Sequence, residues 1–376
     1  MSDIHTKSEP AGILRPIWPV EPVRVGVLID TEMGTPPVRH FYNAFRMALD
    51  EAFDARLLKR PVELVKREVN GLPYGDRWNV IQAWNELVHD EHVVAMAGPI
   101  FTENAVVSHH ATERDRVPSL GMASGEHWAG PWCFQFPNGA PSEDAALIVN
   151  WLVDHGHRTV AVVHEDNRFG DEYNFFFRQQ ARRRGLKIVS DQLFGTLSPM
   201  SLEETLDVAR NARADGFVYM GYGADGNRFL RLVHEMDWPG PKLLGSIFMG
   251  GSEPGRSFGV ALNDLEGWIG IDQFDERNPV TQAVLDRYEK RYGERPRSTF
   301  LTLAFDAGNA LAEAIAISGT PTPDSVRHGL ERVRNLPAAG GGVGTVVTFG
   351  PYDHKAYKGP FTSLSTVKNG VILKVD

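Results

Sequence analysis

The chain has 376 residues, enough for about two domains at roughly 150 residues each, and its 42% hydrophobic and 23% charged residues describe a globular protein rather than a disordered one. With 39 Lys+Arg against 48 Asp+Glu the formal net charge is −9, which excludes the dense basic surface needed for sequence-independent nucleic-acid binding or for docking on an anionic membrane. Cys133 is the only cysteine, so neither an internal disulfide nor a cysteine-based zinc site is expected.

Residues 1–21 are expected to be an extended, solvated tail. The opening stretch MSDIHTKSEPAGILRPIWPVEP carries early acidic residues and four prolines, unlike a secretory signal with its basic start and apolar run of about 7–15 residues. As written the protein is expected in the cytoplasm, and outside it if the true N-terminus is missing. No stretch reaches the ~18 consecutive apolar residues of a membrane span.

From Val23 onward, short apolar runs alternate with amphipathic segments. Strands are predicted at 23–29, 62–69, 93–97 and 118–122, with helices at 36–54, 78–88 and 103–114. The first helix carries Phe41, Phe45, Ala48, Leu49 and Phe53 as one stripe at helical spacing. The pattern then restarts. Helices are predicted at 145–152, 173–184, 202–212 and 229–236, and strands at 159–163, 187–193, 216–220 and 243–248. Two such units imply two parallel sheets covered on both faces, with ligands gathering beyond the carboxyl ends of the strands. In the last third, helices are predicted at 280–292, 299–317 and 322–333, and strands at 346–349 and 371–375. Between them Ala338-Ala339-Gly340-Gly341-Gly342 reads as the most flexible stretch, a linker or crossover.

Gly221-Tyr222-Gly223-Ala224-Asp225-Gly226 matches GxGxxG between a strand and a helix. The acid that would hold a ribose about 20 positions on is missing, since the first candidate, Glu253, comes late. A plain glycine-rich turn is the better reading, and no cofactor is expected. His109 and Glu113 share a helical face, but with no third ligand nearby they read as a solvated face rather than a metal site. His155 and His157 fall where a helix ends and suit its carbonyl end. GxSxG, HExxH and GxxxxGK[ST] are all absent. His164-Glu165-Asp166 at a strand end is open to three readings: acid–base groups, ligand binding or simple solvation.

The ordered set VRVGVLID, VVAMAGPIFTENA, VPSLGMAS, VAVVHEDNRFGDE, DGFVYMGYGADGNRFLRLVHEM, LLGSIFMGG and YEKRYGERPRSTFLTLAFDAGNALAEAIA resembles the type I periplasmic-binding proteins. The likeness is to the leucine/isoleucine/valine-binding kind, a group that includes amide and urea receptors, and it spans roughly residues 22–376. It implies an α/β fold of two Rossmann-like lobes joined by three hinge crossovers, near Pro137–Pro141, Trp268–Phe274 and Gly344–Gly350. Lobe one would combine 22–138 with 275–344, and lobe two 139–274 with 345–376.

The same resemblance implies a ligand-binding set of Phe101, Thr102, Ala123, Ser124, Phe169, Tyr222, Phe248 and Glu253. Thr102 takes the place of the hydroxyl that meets a ligand carboxylate, and Ala123 and Ser124 supply backbone contacts. Phe169 stands where the family has tyrosine. At the offset of the family's ammonium-binding acid stands Ser252, with Glu253 one residue later. Phe101, Trp128, Phe169, Tyr222 and Phe248 together would make an aromatic-walled cleft for a flat or hydrophobic solute, although several of them could equally fill the lobe cores. The expected function is the substrate-binding component of a branched-chain amino acid or amide-type ABC importer, without catalysis. Its ligand would be an amino acid, an amide, a urea-like compound or an aromatic acid, and its partner an ABC permease. The alternative is a cytoplasmic sensor on the same fold that acts on a regulatory protein.

Overall fold

The computed structural model describes residues 21–31, 34–72, 75–195, 198–221, 226–245 and 262–375, with the side chains of 226 and 227 excepted. Tyr222, Phe248, Ser252, Glu253 and the predicted tail up to residue 20 lie outside the described residues.

The first unit runs β1 (Val23–Asp30), α1 (Thr35–Asp54), β2 (Val62–Val69), α2 (Arg77–Asn85), β3 (Met96–Ala97), α3 (Thr102–Asp115), β4 (Ser119–Gly121) and β5 (Cys133–Gln135). Its strands are parallel in the order β2-β1-β3-β4-β5. β1 is buried almost throughout, as a strand covered by helices on both faces must be. β5 was not expected from the sequence. Its three residues are too few to show a period, and only pairing to β4 makes them a strand.

The second unit repeats the plan: α4 (Pro141–Asp154), β6 (Thr159–Glu165), α5 (Arg168–Arg184), β7 (Lys187–Phe194), α6 (Leu202–Asn211), β8 (Gly216–Met220), α7 (Gly226–Glu235), β9 (Lys242–Leu244) and β10 (Trp268–Asp272). β7-β6-β8-β9-β10 are parallel, so both sheets carry the same doubly wound order, 2-1-3-4-5. The chain then returns to the first unit with α8 (Pro279–Tyr292), α9 (Thr299–Ser318) and α10 (Pro323–Leu330). β11 (Leu336–Pro337), β12 (Val346–Val347) and β13 (Tyr357–Lys358) form a small antiparallel sheet. β14 (Ser363–Lys368) and β15 (Val371–Lys374) extend the second sheet antiparallel beyond β10. α9 is long and apolar enough to cross a membrane, but it is mostly buried inside the protein.

Between the units the chain crosses at residues 136–140, 273–278 and 359–362. Trp268–Asp272, expected at a crossover, is strand β10, and the stretch 344–350 contains β12. Gln273 ties the crossings together. Its Nε2 donates to Pro137 O at 2.9 Å and its Oε1 accepts from Gly139 N at 2.6 Å. Its backbone O accepts from Gly341 N at 2.7 Å.

The glycine run read as a flexible linker is therefore held in place. Ala339 N and Gly340 N donate to the buried Asp306 carboxylate on α9 at 2.7 and 2.8 Å, and Tyr357 Oη donates to it at 3.0 Å. Gly341 has φ +86°, and a Cβ there would lie 2.7 Å from Phe361 Cα. The glycines serve close approach of the backbone here, not mobility.

Candidate functional site

In a 2-1-3-4-5 sheet the crevice opens where the connections diverge, between the first and third strands. For the first sheet that point lies between β1 and β3, and for the second between β6 and β8. Each first strand ends in a buried acid, Asp30 on β1 and Glu165 on β6.

Asp30, fully buried, organises the loop that follows β3. Its Oδ2 accepts from Ile100 N at 2.7 Å and Phe101 N at 3.0 Å, and its Oδ1 accepts from Asn104 Nδ2 at 2.5 Å. Asn104 in turn holds Leu72, accepting from its N at 2.7 Å and donating to its O at 3.0 Å. Gly98 permits this turn with φ +96°, since a Cβ there would sit 2.4 Å from Leu28 O. α3 thus begins at Thr102 with its positive end in the crevice and no side-chain cap, an arrangement that attracts a carboxylate.

Among the predicted residues Thr102 is 3% exposed and Ser124 4%, with Ala123 buried between β4 and the following turn. Phe101 belongs to the main core of the chain. Phe169 is 1% exposed, with its ring centroid 5.3 Å from that of Tyr173. Trp128 is buried with Ala105, Ala123 and Cys133. Phe101, Phe169 and Trp128 are packed in cores, and Thr102 at the start of α3 and Ser124 after β4 are buried to a similar degree.

On the second sheet, strand alternation separates the His164-Glu165-Asp166 trio. His164 Nδ1 pairs with Asp191 on β7 at 3.1 Å. Glu165 is buried at the strand end beside Gly221 and accepts from Tyr219 Oη and, at 2.7 Å, from Asn167 Nδ2. Asn167 caps α5 through Gly170 N at 2.8 Å. That cap starts the helix at Arg168, a turn earlier than the periodicity predicts, so Phe169 is helical.

The residue that sequence reasoning missed is Glu172, on the same α5 face as Phe169 and Tyr173. It is 7% exposed, its Oε1 accepts from Glu126 N at 2.6 Å, and its Oε2 has no hydrogen-bond partner among the described residues. Burial holds this carboxyl above the usual carboxylate range, against the pull of its bond from Glu126 N. Gly125 marks where the two units meet: a Cβ there would lie 2.9 Å from both Glu172 Oε2 and Thr102 Cγ2. An acid at helical spacing on an otherwise apolar face was the available signal.

Of the other motifs, His155 Nδ1 lies 2.8 Å from Trp151 O at the end of α4, a helix-terminal contact. Of the glycine motif, Tyr222–Asp225 lies outside the described residues, and α7 begins at Gly226.

Two Rossmann-like units with a crevice at facing switch points define a bilobed solute-binding protein. Residues 22–361 match the family described as periplasmic binding protein, and the chain belongs to that family. A leucine-binding protein from Thermotoga maritima shares 18% identity at a TM-score of 0.79, over 94% of this chain and 98% of that one. An ABC transporter substrate-binding protein from Desulfitobacterium hafniense in complex with Leu shares 18% identity at a TM-score of 0.78, over 94% and 100%. An extracellular ligand-binding receptor from Rhodopseudomonas palustris shares 19% identity at a TM-score of 0.76, over 95% and 100%. No curated protein sequence matches the chain.

Proposed function

We propose that the protein is the receptor of an ABC importer and binds a small α-amino acid between its lobes, without chemical turnover. The observation that carries this reading is the meeting of two opposite recognition groups at Gly125. The uncapped amino end of α3, with Thr102, suits a carboxylate. The buried, half-unpartnered carboxylate of Glu172 suits an ammonium. Each group stands on a different lobe, so one zwitterion bridges both, and closure of the hinge at the three crossings follows from its binding. Ala123 and Ser124 line the first lobe's side, while Phe101 and Phe169 back the cleft from the cores. Tyr222, Phe248 and Glu253 complete the set on resemblance alone. Lobe one takes the first sheet with α8–α10, and lobe two takes the second sheet with β14 and β15. The periplasmic designation of the family favours a site of action outside the cytoplasm, and with it a permease rather than a cytoplasmic regulator as partner.

The test is a thermal-shift screen against amino acids, amides, ureas and aromatic acids. A ligand at 100 times its Kd adds about 2.7 kcal/mol of stability. Stabilisation by amino acids, absent for their amides and deaminated analogues, is the expected result. A response to amides or aromatic acids alone overturns the zwitterion reading.

A further inference from the structure

α3 enters the cleft at its amino end, and its far half carries a second cluster. His109 and Glu113, one turn apart on α3, meet Cys133 at the start of β5, so the fold supplies the third ligand that sequence spacing does not reveal. One donor atom from each of the three lies within 4.8 Å of the others. Ligand atoms on a tetrahedral zinc stand about 3.5 Å apart, given zinc–ligand bonds of roughly 2.0–2.3 Å, so closing this set requires side-chain shifts of about an ångström.

Two observations show close approach and unmet demand at its centre. His109 Nε2 is buried with no hydrogen-bond partner among the described residues. A Cβ on Gly130 would lie 2.9 Å from that nitrogen and 2.4 Å from Glu113 Oε1, so the bare glycine is what lets both atoms lie close against the backbone there. Glu113 Oε1 is aimed by Trp132 N at 3.0 Å and faces Cys133 Sγ at 3.8 Å.

We propose that His109, Glu113 and Cys133 bind a divalent cation of borderline softness, zinc foremost. A thiolate and an imidazole select against calcium and magnesium, which take oxygen ligands. The thiol loses its proton to solvent as the ion binds, and the dication offsets the Glu113 charge that disfavours a thiolate there. The ion ties α3, whose first turn carries Thr102, to β5, which leads into the first crossing between the lobes. It thereby stiffens the first lobe's wall of the cleft.

Cobalt tests this directly in the full chain after chelator treatment. Because Cys133 is the only cysteine, a thiolate-to-cobalt absorption band can come from no other residue. The expected result is such a band saturating at one equivalent of Co2+ and displaced by Zn2+. It should vanish in Cys133→Ser, and the affinity should fall at least tenfold in His109→Ala. Gly130→Ala keeps all three ligands but forces Glu113 Oε1 and His109 Nε2 to shift, so it should also weaken binding tenfold or more. A parent chain that shows no band at one equivalent overturns the proposal, as does zinc affinity unchanged by both His109→Ala and Gly130→Ala.

Discussion

Asp30→Asn tests how the first lobe builds its half of the cleft. The new side chain can turn its carbonyl oxygen to Ile100 N and Phe101 N, keeping both bonds while losing their charge assistance. Its NH2 group then faces Asn104 Nδ2. Asn104 cannot flip to receive it, because Leu72 N and Leu72 O fix both ends of its amide. Hydrogen bonds to a charged group contribute about 1.5–3 kcal/mol and neutral ones about 0.5–1.5. Two weakened bonds and one lost therefore sum to about 3.5–6 kcal/mol. Urea unfolding of the chain without ligand should show a lower midpoint at unchanged slope. The double variant Asp30→Asn/Asn104→Asp restores a donor–acceptor pair between these positions. It should recover at least about 1 kcal/mol relative to the sum of the single effects. A loss below about 1 kcal/mol for Asp30→Asn, or single effects that simply add within about 0.5 kcal/mol, would refute the account.

Glu172→Gln should leave the unliganded protein as stable or more so at neutral pH, because it removes a buried carboxylate oxygen that has no partner among the described residues. It should also abolish thermal stabilisation by amino acids; retained stabilisation removes Glu172 from the site. Burial pushes the carboxyls of Asp306 and Asp144 up to about 7, even though each accepts hydrogen bonds. An unfolded aspartate titrates near 3.9, so between about pH 4 and 7 the folded chain holds protons that the unfolded chain has released. The stability these groups contribute is present below pH 4 and lost as pH rises to 7. Asp306→Asn and Asp144→Asn should each flatten that decline in a pH series of urea midpoints, and an unchanged slope in both would contradict the assignment.

Much of the architecture follows from local sequence. β1, β6 and β8 are largely apolar runs, mostly buried, and α1 shows its stripe at helical spacing, so the alternation of strands and helices is readable one segment at a time. The two-lobed fold is readable from the ordered motifs, whose resemblance also supplies Thr102 and Ser124 as site candidates. β5, β10 and β14 escape such reading. β5 is too short to show a period, while β10 is defined by pairing parallel to β9 and antiparallel to β14, and β14 by pairing to β10 and β15. Residues 338–342 are flexible by composition, yet Asp306, 33 positions from Ala339, holds their amides in the folded chain.

What brings distant residues together is decided only in three dimensions. Glu172 becomes a buried, half-unpaired acid because α5 of one lobe meets Gly125 and Thr102 of the other. Cys133 becomes a partner for His109 and Glu113 because β5 pairs beside β4 under α3. A sequence records the periodicity of each segment, since neighbouring residues share one backbone geometry. Desolvation and charge pairing depend on whatever packs across the gap, and that is a property of the assembled fold.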